Sequence, residues 1–446
     1  LKNSKKLFVA AVMSVALAAS GCSGDTGKTV GSEETPKNNS APKTQVKLKW
    51  WGGVPEESGP GDVVLAWNKQ NPDIQVEYVR YVNDDAGNTK LDTALLSQSD
   101  APDIVVSHSD TALSKRHKAG MLEPLDEFID KQKFNVASII GIENINKFDG
   151  KVYYLPGSTG MNGVLFNKNA LDEIGEKVPT SWTWNDFAVL ATKLNKPDRK
   201  GAFVSPSFDP IATYVLSMSK PIDPFFSSDG MSNFNHPAVQ KGLELQKDLQ
   251  DKGVMVKWSE AIANKLSPQN ELLTNKAAMV YGGTYMVRYL KDLKSFPRDF
   301  VVAFAPEPQF EKGTNINLAG LGDFMSINKL SPNKDASFKF IAWYLTEGNM
   351  HLVSGGRIPS NKTADMEKLT AQLIGETNNK IDQESLKNLL KGNYTFVKRT
   401  NVKALPELNK IFKEEAEKFM MNVQPLDQTM SKLKSRADEV IKSTAK

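Results

Sequence analysis

The sequence predicts an α/β protein built from two or three globular units, and three observations carry that prediction. Strand-type and helix-type periodicities alternate along the chain, as βαβ units require. The 446 residues are too many for a single core. Hydrophobic residues at 40% and charged residues at 24% are the balance of an ordinary folded chain rather than a disordered one.

The elements follow in order. Val46-Lys47-Leu48-Lys49-Trp50 alternates and then meets Trp51-Gly52-Gly53, so it reads as a strand ending in a loop. Residues 63–69 read as a helix closed by Asn71-Pro72, because the residue before proline disfavours the helical region. Residues 74–79 alternate as a second strand, 91–98 read as a helix, and Ile104-Val105-Val106 is a short apolar strand. The same grammar returns with strands at 163–166, 277–281 and 301–304 and helices at 184–194 and 336–345. Residues 405–441 are helical with an interruption near 422–425. This order predicts mostly parallel sheets.

The N-terminus is of another kind. Lys2, Lys5 and Lys6 precede an apolar run over 7–19, and small residues lead to Cys22. That is the layout of a secretory signal. The apolar run is 13 residues, short of the ~20 that span a bilayer. Small residues ending in a cysteine resemble a bacterial lipobox, although Ala19 stands where that pattern usually has leucine. The alternative is an ordinary signal peptide with an incidental cysteine. If acylated, Cys22 anchors the chain to the outer face of the cell membrane. Residues 23–44 are polar and rich in Gly, Ser, Thr, Asn and Pro, which reads as a flexible tether of roughly 25 Å reach.

Composition excludes several classes. A net charge of +4 with no concentrated basic stripe gives no support for nucleic-acid binding. Cys22 is the only cysteine, and His108, His117, His236 and His351 share no ligand spacing, so neither a disulfide nor a metal site is expected. No cofactor motif is present. Hydrolase, zincin and Walker patterns are missing too, and the expectation is a protein that is not an enzyme. A paired-carboxylate glycosidase has no fixed spacing and stays open as an alternative.

Ligands of open parallel sheets bind beyond the carboxyl ends of strands. Four such loops contain Trp51-Gly52-Gly53, Ser107-His108-Ser109-Asp110, Gly157-Ser158-Thr159-Gly160 and Gly282-Gly283-Thr284-Tyr285. They are polar, aromatic or glycine-rich, which suits a hydroxylated ligand: aromatic faces pack on a pyranose while Asp, Asn and Ser take its hydroxyls.

Seven segments resemble, in order, the family 1 extracellular solute-binding proteins of ABC importers, the group of the maltose-binding protein. They are NKQNPDIQVEY (68–78), DTALLSQSDAPDIVV (92–106), AGMLEPLDEF (119–128), DGKVYYLPGSTGMNGVLFNK (149–168), PTSWTWNDF (179–187), NKAAMVYGGTY (275–285) and PSN (359–361). The resemblance implies a two-lobed α/β fold of the periplasmic-binding-protein type (type II), with discontinuous lobes around a hinged cleft. Lobe one is expected at 46–155 and 323–366, lobe two at 160–318 and 368–446, and the hinges at 154–160 and 320–323. It also implies a monomer that captures a carbohydrate and delivers it to two permease subunits, served by an ATPase on the cytoplasmic side. A non-sugar solute, such as a phosphorylated polyol or a polyamine, is the alternative cargo.

On this resemblance Trp51 either touches ligand or packs between lobes. Asp110 either accepts a hydroxyl or caps the next helix. Tyr285 stands where members carry a stacking aromatic. His108 is a candidate hydroxyl partner, Asn83 and Asp84 candidates for the cleft rim, Trp258 a candidate cleft aromatic, and Arg357 a candidate partner for an acidic sugar. Gly160 occupies a place where some oligosaccharide binders have an acid, so the maltodextrin set does not carry over whole.

Overall fold

A computed structural model describes residues 45–97, 100–141, 145–206, 209–399 and 404–444. The signal, Cys22 and the tether lie outside the described residues. The strands are β1 (Val46–Gly52), β2 (Ile74–Arg80), β3 (Ile104–Ser107), β4 (Leu155–Gly160), β5 (Asn162–Asn167) and β6 (Lys200–Phe203). After them come β7 (Ala277–Gly283), β8 (Val302–Pro306), β9 (Ile316–Asn317), β10 (Gly320–Ile327), β11 (Ile358–Pro359) and β12 (Thr395–Phe396).

They form a six-stranded sheet ordered β11-β4-β10-β3-β1-β2, a four-stranded sheet ordered β6-β7-β5-β8, and the small pair β12-β9. The expectation of mostly parallel sheets needs correction. β1 runs parallel to β2 and β3, and β6 to β7, but β10 is antiparallel to both β3 and β4. β5 is antiparallel to β7 and β8. The reason is the chain path: it leaves the first sheet along β4 and returns along β10, so these two strands point in opposite directions.

Alternation in β1 sends Trp50 and Trp51 to opposite faces. Trp50 packs among Tyr78, Phe340 and Tyr344 with ring centroids 4.7, 5.4 and 5.5 Å away. The helix Pro60–Gln70 covers this face and joins the same aromatic cluster through Trp67, 5.3 Å from Phe340. The Trp67 indole N–H also donates to the Ile74 carbonyl at 2.8 Å, which ties the helix to the start of β2. On the four-stranded sheet the helix Trp184–Leu194 begins at a capping box, Thr183 with Asp186. Its Trp184, Phe187 and Leu190 face the sheet's core. The helices Leu405–Met420 and Leu426–Thr444 are separated by a break carrying Asn422 at φ 59° and Pro425.

A buried polar network joins the second sheet to the return segment. Glu307, at the end of β8, is 1% exposed. Its carboxyl meets the Tyr281 hydroxyl and accepts the Leu318 N–H at 2.6 Å. Beside it the Asn317 side chain accepts the Asn162 N–H at 3.1 Å and donates to the Asn162 carbonyl at 2.9 Å. The segment before β10 is thus held to the start of β5 by side chains, where a two-residue strand makes little ladder of its own. Burial pushes the Glu307 carboxyl up to about 7, against the opposing hydrogen bonds from Tyr281 and Leu318. The folded state therefore holds this proton up to about pH 7, whereas the unfolded chain releases it near 4.5. The associated stability is fully present below about 4.5 and is lost as pH rises through about 7. Urea unfolding at about pH 5 and about pH 8 is expected to show a loss of at most ~3 kcal/mol from this group. Glu307→Gln is expected to flatten that slope, and an unchanged slope in the variant would assign it to another group.

Candidate ligand-binding cleft

The loops beyond β1 and β3, strands β4 and β10, and the segment before β11 converge on one buried carboxylate. Asp323 sits in β10 at φ 49°, a left-handed conformation that aspartate tolerates better than most residues. Gly157 lies beside it on β4; a Cβ there would come within 3.1 Å of the Asp323 carbonyl and 2.9 Å of the Tyr344 ring. Glycine is therefore required for the close approach of the two strands.

The Asp323 side chain is 6% exposed and fully engaged. Its Oδ1 lies 2.6 Å from His108 Nδ1, and its Oδ2 accepts the Ser158 hydroxyl at 2.7 Å. Arg357 Nε stands 3.4 Å from Oδ2. Burial pushes this carboxyl up, but Arg357, His108 and the Ser158 hydroxyl outweigh it and hold it below the usual carboxylate range. His108 has its own second tie: the Gly53 N–H donates to Nε2 at 2.9 Å. Because Nε2 accepts, the neutral ring carries its proton on Nδ1 and gives it to Asp323.

The second sheet contributes the turn after β7. Thr284–Met286 form a short 3-10 turn and Val287–Lys291 a helix. Tyr285 is half-buried in this turn, against the segment that carries Arg357. Gly356, at φ 87°, makes that contact: a Cβ on it would come within 2.8 Å of the Thr284 carbonyl and 3.2 Å of Tyr285 Cα. Arg288 follows, its guanidinium 4.6 Å from the Tyr289 ring and its Nη2 donating to the Tyr289 hydroxyl at 2.7 Å.

A further contact joins the helix Asp110–Lys118 to the helix Leu405–Met420. Asn409 donates to the Thr111 hydroxyl at 2.9 Å, and Lys118 lies 3.4 Å from Glu407. Asp110 is 3.6 Å from Arg399 Nη1.

The structure distributes the sequence candidates unevenly. It brings together His108, Arg357 and Tyr285. His108 is corrected from hydroxyl partner to positioning residue, because both ring nitrogens are already bonded within the protein. Asp110 is not the helix cap: Ser109 is, accepting the Ala112 N–H at 3.2 Å. Trp51 is 8% exposed in the core of the first sheet, with Lys90 5.9 Å above its ring. Asp84 caps the helix Asp85–Leu95 through the Gly87 N–H at 2.8 Å, and Asn83 accepts from Asn88 at 3.1 Å. Trp258 is 4% exposed and packs in the cluster of Phe225, Phe234 and Phe412. Its neighbours Lys257, Ser259 and Glu260 make the stretch look polar, but the ring faces inward and is a core residue rather than a cleft aromatic.

Sequence reading missed Asp323 and Ser158 as partners and Arg288 altogether. The available signal was a lone acid closing the glycine-rich run Gly320-Leu321-Gly322-Asp323. Among the described residues no cluster of His, Cys, Asp and Glu could hold a metal ion.

Comparison with known proteins bears on the fold and the family. Over 270 residues the chain is 24% identical to an arabinooligosaccharide-binding protein of Halalkalibacterium halodurans, covering 58% of each chain. It is thus matched to little more than half that relative's length. A Listeria monocytogenes ABC substrate-binding protein solved with cycloalternan superposes with a TM-score of 0.73 at 18% identity, covering 90% of this chain and 99% of that one. UgpB from Mycobacterium tuberculosis, solved with glycerophosphocholine, gives 0.72 at 16% identity over 90% and 99%. The fold is the two-lobed α/β fold of periplasmic-binding-type proteins. With the family model matched across residues 52–351, the chain belongs to the bacterial extracellular solute-binding proteins.

Proposed function

We propose that this protein captures a sugar or oligosaccharide between its two lobes and hands it to the permease of an ABC importer. The observation that carries the reading is the meeting of the Tyr285 turn, from the second sheet, with the segment of Arg357, which Asp323 holds to the first. An aromatic face and an ionised hydrogen-bonding group at one place are the combination that takes a pyranose ring and its hydroxyls. The sugar-binding relative and the cycloalternan complex support the same reading. The lobes are taken as 46–155 with 323–366 and 160–318 with 368–446, hinged at 154–160 and 320–323. Ligand then shifts an open population towards a closed one by its greater affinity for the closed state. The protein acts as a receptor without turnover.

Calorimetry with arabino- and malto-oligosaccharides tests the cleft. Tyr285→Ala is expected to weaken binding by about tenfold or more, ~1.4 kcal/mol. Unchanged affinity would remove Tyr285 from the site, and release of shorter sugars would turn the reading towards an enzyme.

The same proposal includes a lipid anchor at Cys22. Among the described residues no helix is long and apolar enough to cross a membrane. Acylation at Cys22, followed by the polar tether of roughly 25 Å, would keep captured solute beside the permease. In cell fractionation Cys22→Ala is expected to move the protein from membrane to medium with its solute affinity unchanged. Retention on the membrane would refute the anchor.

A further inference from the structure

The cationic groups around Tyr285 outnumber their partners. Arg288 Nε and Nη1 are buried with no hydrogen-bond acceptor, and only Nη2 is used, on Tyr289. Among the described residues Arg288 has no carboxylate partner. Further along the segment Lys291 and Arg298 meet carbonyl oxygens. Lys291 donates to Ser354 and Gln372 at 3.0 and 3.2 Å, and Arg298 to Leu290 at 2.6 Å. Arg357 is 24% exposed and shares the one carboxylate, Asp323, with His108 and Ser158.

Gly356 packs on Thr284 and Tyr285, which sets Arg357 beside the turn leading into the helix that carries Arg288, and both guanidinium charges act on the Tyr285 hydroxyl. Burial has pulled the Lys291 ammonium down to about 8. Two nitrogens of the half-buried Arg288 lack the acceptors that water would supply. Its unused groups are donors only. A neutral sugar hydroxyl brings a donor along with its acceptor. A carboxylate or phosphate brings acceptors alone and a negative charge, and it fits the guanidinium fork.

We propose that the solute is anionic: a hydroxylated molecule whose carboxylate or phosphate is received by Arg288 and Arg357 beside Tyr285. This rests on the solute-capture reading and specifies its ligand class. A uronic-acid-containing oligosaccharide and a polyol phosphate ester share that chemistry.

The test is calorimetry on the full mature chain with three probes: a uronic-acid-terminated disaccharide, its neutral parent disaccharide, and a glycerol phosphodiester. At least one anionic probe is expected to bind about tenfold or more tighter than the neutral sugar. That preference should shrink by about tenfold in Arg357→Gln or Arg288→Gln, and on raising salt from about 50 to about 500 mM. Arg357→Lys, which keeps the charge and loses the fork, should fall between. Unliganded melting temperatures check folding, and the salt series on the unsubstituted protein stands if a variant fails to fold. Preference for the uronide supports both readings. Binding of the phosphodiester alone supports the anion and overturns the sugar. A neutral sugar bound as tightly as its acid, with both glutamine variants unaffected, overturns the anion and leaves sugar capture standing. No binding by any probe overturns both.

Discussion

Asp323 is the charge on which the cleft floor depends. A carboxylate buried this deeply is unfavourable unless its lone pairs are taken and its charge is balanced. Ser158 on β4, His108 after β3 and Arg357 before β11 do that work together. Each comes from a different part of the chain, so one side chain sets the spacing of three elements. His108 then passes the constraint on to the loop after β1 through Gly53. Rigid positioning of this kind holds a binding site to its geometry before ligand arrives.

Glu307 solves the opposite problem. It too is buried, but among the described residues no cation is paired with it, and burial favours its neutral form. The two acids sit near the two ends of the return segment that precedes and enters β10. One is held ionised by a guanidinium and an imidazole. The other is bonded to neutral groups, the Tyr281 hydroxyl, the Leu318 N–H and the Asn162 side chain. Environment alone separates them, since the residue types differ by a single methylene.

Much of the fold was legible. The helix over 184–194 was read from its periodicity and appears with the same bounds, opened by the capping box of Thr183 and Asp186. β1, β2 and β3 fall where alternation and apolar runs put them, and the C-terminal helix breaks where Asn422 and Pro425 stand. The helix after β2 was read as starting at 91, whereas Asp84 caps it and it begins at Asp85. A polar residue after a strand suits a cap or a rim contact, and Asp84 serves as the cap. Strand direction was not legible: a run of alternating residues looks the same whichever way its neighbour points.

The sequence by itself determined the local elements, the polar and glycine-rich loops between them, and the resemblance that points to two lobes. It did so because periodicity, caps and glycine turns act over a few residues. Only the tertiary structure decided which polar residues are partners. His108 and Asp323 are far apart in the chain yet 2.6 Å apart in space. Trp258 and Tyr285 looked alike as candidates, and packing put one in a core and the other against Arg357's segment. Burial and charge balance belong to the surroundings of a side chain, and those surroundings exist only once the chain has folded.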